Sequence, residues 1–108
     1  MSLVKTDKLR WCNIIDSKKW VLGVALVKRG FVAQLHRHSE AENYYFIFGM
    51  GRMQVGDKVI VVTSPQKIKI GGNVPHAMTP LSSYVVLAYT FRKGPFSSIV
   101  YDYLDSEL

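Results

Sequence analysis

The sequence predicts an all-β barrel of jelly-roll type, and three observations carry that expectation. Apolar residues alternate or run together in short β-branched and aromatic segments, and no stretch repeats with the period of an amphipathic helix. Glycine, proline or asparagine turn signals bound each segment. About eight such segments recur at regular spacing along the 108-residue chain, a pattern that closes best into a barrel or jelly roll that hides its edges.

In chain order, the first ~15 residues read as a loosely held end. Trp20 to Val27 is apolar nearly throughout, the pattern of a strand covered on both faces. After the Arg29-Gly30 turn come Phe31 to His36 and, past a polar connection, Asn43 to Phe48. Gly49-Met50-Gly51 and Gly56-Asp57 then bracket the segments Arg52 to Val55 and Lys58 to Val62. Lys67 to Ile70 places its lysines outward and its isoleucines inward, and it ends at Gly71-Gly72-Asn73. Ser83 to Phe91 and Ser97 to Leu104, separated by Gly94-Pro95, complete the set, and the last ~5 residues read as a second loose end. Residues 1–108 form one domain, with the chemistry-bearing core in 30–80 and flanking strands completing the barrel.

Composition narrows the function classes. With 48% hydrophobic and 12% aromatic residues the chain has material for a core, which argues against disorder. A single cysteine, Cys12, excludes a disulfide framework, a thiolate zinc finger and a redox dithiol, and it fits a reducing, cytoplasmic setting. No apolar stretch approaches ~20 residues and no leader pattern opens the chain, so no membrane partner is expected. The formal charge of +6 is spread over doublets beside turns and over alternating outward positions. Such a distribution reads as solvated surface, and no nucleic-acid partner is expected; a positive field would still favour small anions.

Chemistry concentrates between Gly30 and Gly49. His36 and His38 are two residues apart on a strand, so both side chains leave one face and can converge on one ion. Glu42 follows a polar turn and opens the next strand, where its carboxylate can join the imidazoles. His76, the remaining histidine, directly follows a Gly-Gly-Asn-Val-Pro loop. Three neutral nitrogens and one carboxylate suit one divalent transition metal, whether iron, manganese, nickel, cobalt or zinc, with positions left for water or substrate. Strand alternation adds Gln34 on the face of His36, and Tyr44, Phe46 and Phe48 on the face of Glu42. Tyr44 could exchange a proton or anchor a substrate, and Gln34 could hydrogen-bond a metal-bound group. Met53 and Met78 would help make the surrounding pocket largely apolar.

At these residues the chain resembles the cupin superfamily. Gly30, His36, His38, Glu42 and Gly49 meet every fixed position of its first motif, Gly, five residues, His-x-His, three or four residues, Glu, six residues, Gly. Of the second motif, whose positions fall on Pro65, Gly71, Asn73, His76 and Pro80, only the histidine is retained. The resemblance implies a cupin double-stranded β-helix of six to eight strands, in the manner of small RmlC-like cupins. It also implies a metal held inside by the three histidines and the glutamate. A homodimer is expected because exposed apolar strands leave edges to cover, with Trp20 to Val27 patterned for burial on both faces, and small cupins usually dimerise. The superfamily spans dioxygenases, decarboxylases, lyases and sugar-binding sensors, so the reaction is not implied. The intact ligand set favours a metal-dependent enzyme on a small anionic or chelating substrate, a dioxygenase-type oxidoreductase before a lyase or decarboxylase. A non-catalytic sensor or carrier is the alternative.

Overall fold

Among the described residues, eleven strands account for the alternation seen in the sequence. They are β1 (Leu3–Lys5), β2 (Leu9–Asp16), β3 (Val21–Lys28), β4 (His36–Arg37), β5 (Glu42–Phe48), β6 (Met50–Val55), β7 (Lys58–Thr63), β8 (Gln66–Ile70), β9 (His76–Pro80), β10 (Tyr84–Phe91) and β11 (Asp102–Tyr103). The computed structural model describes residues 3–5, 7–31 and 33–104. Two antiparallel sheets result, one of six strands in the order β1-β2-β3-β10-β5-β8 and one of five in the order β11-β4-β9-β6-β7. Their facing sides make the core, which includes Val21, Val27, Phe46, Met53, Val62, Ile68, Ile70, Met78, Val85, Leu87 and Phe91. Strand β10 shows the cause plainly: its burial alternates along Tyr84–Phe91, with Val85, Leu87, Tyr89 and Phe91 inward.

The expected strand count changes at both ends of the chain. The N-terminal stretch expected to be loose contains β2, paired with β3 along most of its length. A register slip between Asn13 and Ile15 and the polar residues Arg10, Asn13 and Asp16 break the period-two signal there. Ser97 to Leu104 is not one strand: a 3-10 turn at Phe96–Ser98 precedes the two-residue β11. Within Phe31 to His36 only His36 joins a ladder, and Val32 lies outside the described residues. The carbonyls of that segment are used otherwise, Gln34 by the His36 ring and Leu35 by the Leu104 amide. Residues 105–108 of the expected loose C-terminal end also lie outside the described residues.

Phe48 is also placed differently from expectation. Phe48 pairs with Val86 while Phe46 pairs with Leu87, so Ile47 is an extra residue on β5. That bulge turns Phe48 outward, where it is 59% exposed, while Phe46 stays buried. Strand β3, apolar on both faces as expected, is central in its sheet, between β2 and β10.

Candidate metal centre

His36 and His76 are direct cross-strand partners on β4 and β9, which places their side chains together. His38 follows β4 in the connection to β5, and Glu42 is the first residue of β5. The turn before β9 fixes the remaining approach. Gly72 lies so close to the Ser39 carbonyl that a Cβ there would collide with it, and Asn73, at a positive φ of 61°, donates its amide to the His38 carbonyl at 2.7 Å. The sequence places glycine and asparagine where close approach and a left-handed residue are needed, and the two histidine loops are thereby clamped to each other.

One ring nitrogen from each of His36, His38 and His76 lies within 4.8 Å of the others. His38 is 3% exposed, Glu42 4% and His76 0%, while His36 is half-buried. Each imidazole is oriented by its own neighbourhood in the same way. His36 Nδ1 meets the Gln34 carbonyl at 2.9 Å, His38 Nδ1 the Glu40 carbonyl at 2.8 Å and His76 Nδ1 the Val74 carbonyl at 2.9 Å. A carbonyl only accepts, so each Nδ1 carries the proton and each neutral ring keeps its lone pair on Nε2. The Nε2 atoms of His38 and His76 both lie 3.2 Å from Glu42 Oε1.

Three electron-rich atoms facing one another in a buried space repel unless a positive charge stands among them. Part of that charge can come from a proton. Burial disfavours the charged form of His38, yet the hydrogen bond to Glu42 and the Glu42 charge outweigh it and raise its pKa above the ordinary value. His36 moves the other way, lowered by burial despite the Gln34 carbonyl and Glu42, with His76 and His38 adding to the fall. The donor set fits a divalent transition metal better than protons, because one ion would satisfy both Nε2 atoms and the carboxylate at once. The three histidines could therefore hold a metal ion, with Glu42 beside them.

A cavity of about 410 Å³ opens onto this cluster through His36 and Glu42. Its walls carry Tyr44, Tyr89 and Tyr101 together with apolar side chains from both sheets. Tyr44, singled out from the sequence, lies with its ring 6.1 Å from that of His76, and burial followed by the Glu42 charge pushes its hydroxyl well above the ordinary tyrosine range. Gln34 is exposed at the cavity wall, and its recorded contact with His36 is through the backbone carbonyl rather than the side chain. Of the methionines expected in the pocket, Met78 lines it and Met53 is sealed in the core.

Sequence reasoning missed the tyrosines of the C-terminal segment. The Tyr101 ring lies 5.2 Å from both His36 and His38, and the Tyr103 ring 5.9 Å from His36. Pairing of β11 with β4 and an Arg37–Asp102 ion pair of 3.1 Å hold this segment against the site. Tyr101 and Tyr103 alternate, which hinted at a shared face, but nothing local revealed the partner strand. Burial, then Glu42, raises the Tyr101 hydroxyl as well. Neither the Tyr44 nor the Tyr101 hydroxyl has a protein hydrogen-bond partner among the described residues, whereas Tyr89 donates to Asn13 Oδ1 at 2.7 Å.

The basic residues are less scattered than the sequence suggested. Lys67, Lys69, Arg92 and Lys93 meet in an outer groove with Glu40 and Asn43, which shares no residue with the cavity. Among the described residues no lysine or arginine lines the cavity. No helix among the described residues is long and apolar enough to cross a membrane.

No family model matches the chain, and no curated protein does. Solved structures match over nearly its whole length. A Bacillus subtilis oxalate decarboxylase variant aligns with a TM-score of 0.82 and 21% identity, covering 91% of this chain and 29% of that one. A structure from a study of DMSP lyases aligns at 0.75 with 18% identity, covering 92% of this chain and 53% of its own. An RmlC-like cupin from Shewanella frigidimarina aligns at 0.81 with 14% identity, covering 89% and 86%. The chain spans about three tenths of the oxalate decarboxylase and nearly all of the small cupin, and the shared feature is the fold.

Proposed function

We propose that this chain, a protein of the cupin fold, is a metal-dependent enzyme acting on a small carboxylate or carbonyl compound, with His36, His38, His76 and Glu42 as the metal ligands. One observation carries the reading: three imidazoles with Nδ1 tied back to carbonyls converge beside a cavity, and two of them stand 3.2 Å from the buried Glu42 carboxylate. A divalent transition metal bound there would offer positive charge to a substrate oxygen and, for iron or manganese, electron exchange with dioxygen.

The chain's own residues do the rest. Tyr44 and Tyr101 keep their protons at working pH, because burial and Glu42 raise both, and so serve as hydrogen-bond donors to a developing oxyanion. The apolar side chains of the wall lower the polarity around the ligand's body. A dioxygenase-type oxidation is the leading reaction, supported by a three-histidine donor set beside a mainly apolar cavity open enough to admit both substrate and oxygen. A lyase or decarboxylase is the second reading, favoured by fold neighbours that include an oxalate decarboxylase and a study of DMSP lyases. Metal-loaded protein incubated with 2-oxo acids, diketones and phenols separates them. Substrate loss with matching oxygen uptake supports the first, substrate loss without it the second, and no loss with any metal defeats both in favour of a binding protein.

Self-association is part of the same proposal. Strand β7 is the edge of its sheet and exposes Val59 (60%), Ile60 (37%) and Val61 (59%). An apolar edge of this kind pairs readily with a second copy of itself. Light scattering should give a dimer mass at micromolar concentration, and Val61→Lys should give a monomer; a monomeric parent protein defeats the idea.

A further inference from the structure

The cavity has two chemically distinct ends, and their contrast defines a ligand more closely than the metal ligands do. At one end stand His36 and Glu42. At the other, Trp11, Phe96 and Tyr89 form an aromatic cluster, with ring centroids 5.1 Å apart for Trp11 and Phe96 and 6.4 Å for Trp11 and Tyr89. Leu9 and Trp11 of β2 sit directly across from Val27 and Ala25 of β3, so the small Ala25 leaves room beside the indole. Leu87 and Met78 continue the apolar wall. Among the described residues this wall carries no cation, and Lys67, Lys69, Arg92 and Lys93 stand in the separate outer groove.

A dicarboxylate placed here would have one carboxylate at the imidazole end and a second buried among apolar groups without a counter-charge, which is strongly unfavourable. A ligand with one charged or carbonyl head and an apolar body meets both ends. The volume, about 410 Å³, lies at the low end of small-molecule sites and suits one ring on a short arm. We infer that the site takes a monoanionic 2-oxo or carboxylic acid with an aromatic or bulky aliphatic body, seated with its acid group toward His36 and its body against Trp11 and Phe96. This rests on the proposal that the imidazole end holds a metal.

Three probes test it by isothermal titration on manganese-loaded protein: phenylpyruvate, pyruvate and 2-oxoglutarate, whose distal carboxylate would extend from the acid end into the apolar wall. Phenylpyruvate should bind at least about tenfold more tightly than pyruvate, because seating the phenyl group takes apolar surface out of water. 2-Oxoglutarate should bind no better than pyruvate. Trp11→Ala, and Ala25→Leu as a variant that fills the same space without removing the indole, should each bring phenylpyruvate down toward pyruvate while leaving pyruvate unchanged. Equal loss for both acids in Ala25→Leu, or tighter binding of 2-oxoglutarate than of phenylpyruvate, overturns the inference. Failure of the underlying proposal looks different: manganese itself does not bind, which a metal titration without any acid shows first.

Discussion

The imidazole end and the aromatic end of the cavity are built by opposite means. At the imidazole end every ring is pinned by a hydrogen bond to a carbonyl two residues away, and three of the four polar groups fall within residues 36–42. At the aromatic end the walls come from β2, β3, β10 and the segment after Gly94, residues up to about 85 positions apart in the chain, held by strand ladders, by packing and by the long-range hydrogen bonds of Tyr89 to Asn13 and of the Phe96 amide to Asp16. The difference teaches where each property resides. Short-range hydrogen bonds fix each ring's orientation, the pairing of β4 with β9 brings His76 to the others, and contacts among distant strands decide what fits beside them.

The sharpest way to break this contrast is to remove a donor. His76→Ala should abolish metal content measured by elemental analysis, and chelation of the parent protein should lower its melting temperature, because the bound ion stabilises only the folded state. Full metal retention in His76→Ala would defeat the site assignment. A smaller effect belongs to Tyr44→Phe, which removes a hydroxyl and leaves the ring against His76. If Tyr44 donates to the reacting oxygen, turnover should fall by about a hundredfold with metal content unchanged. Turnover near that of the parent assigns Tyr44 to the wall.

The same contrast explains what was legible in the sequence. His36, His38 and Glu42 could be read from a two-residue spacing and one turn, and His76 as the remaining histidine and the retained position of the second motif, although its convergence depends on the pairing of β9 with β4. Trp11, Tyr89, Phe96 and Tyr101 could not, since each looks like an ordinary core aromatic until the pairing of distant strands is known. The strand-rich fold was visible from alternation, but β2 was hidden by its bulge and β9 by its short sequence His-Ala-Met-Thr-Pro. Gln34 was assigned a side-chain role because alternation assumed a strand through Phe31 to His36, whereas that segment spends its carbonyls on His36 and Leu104.

Changes at the aromatic end should be felt in shape rather than in metal. A Cβ on Gly23 would collide with the Tyr89 ring, which reaches past it to Asn13. Gly23→Ala must therefore displace Tyr89 into the cavity, at about 1–3 kcal/mol of stability. Metal binding should survive while binding of bulky acids weakens. Loss of metal in this variant would mean that the two ends are not separable.

Acidity probes the imidazole end alone, with metal removed. His38 has a folded pKa above its ordinary 6.5, so its contribution to stability is complete below 6.5 and is lost as pH rises through the raised value. His36 has a lowered pKa, so its contribution is complete above 6.5 and is lost as pH falls through the lowered value. Urea denaturation of metal-free protein should show His38→Gln flattening the alkaline side of the stability profile and His36→Gln the acidic side. The same profile in both variants as in the parent would remove the link between Glu42 and His38.

The smallest effect is expected where the C-terminal segment is tied to the site from outside. Arg37 and Asp102 form a 3.1 Å ion pair, but their side chains are 44% and 57% exposed. Water and salt screen such a pair, so its net contribution is within about 1 kcal/mol. The segment has other holds: the Leu104 amide donates to the Leu35 carbonyl, and Tyr101 packs between His36, His38 and Phe96. Arg37→Ala should therefore lower the melting temperature by less than about 5 °C and leave metal content unchanged. Tyr101→Ala, which removes the buried hold, should do more than Arg37→Ala in both respects. If the order is reversed, the tail is held against the imidazole end by charge rather than by packing.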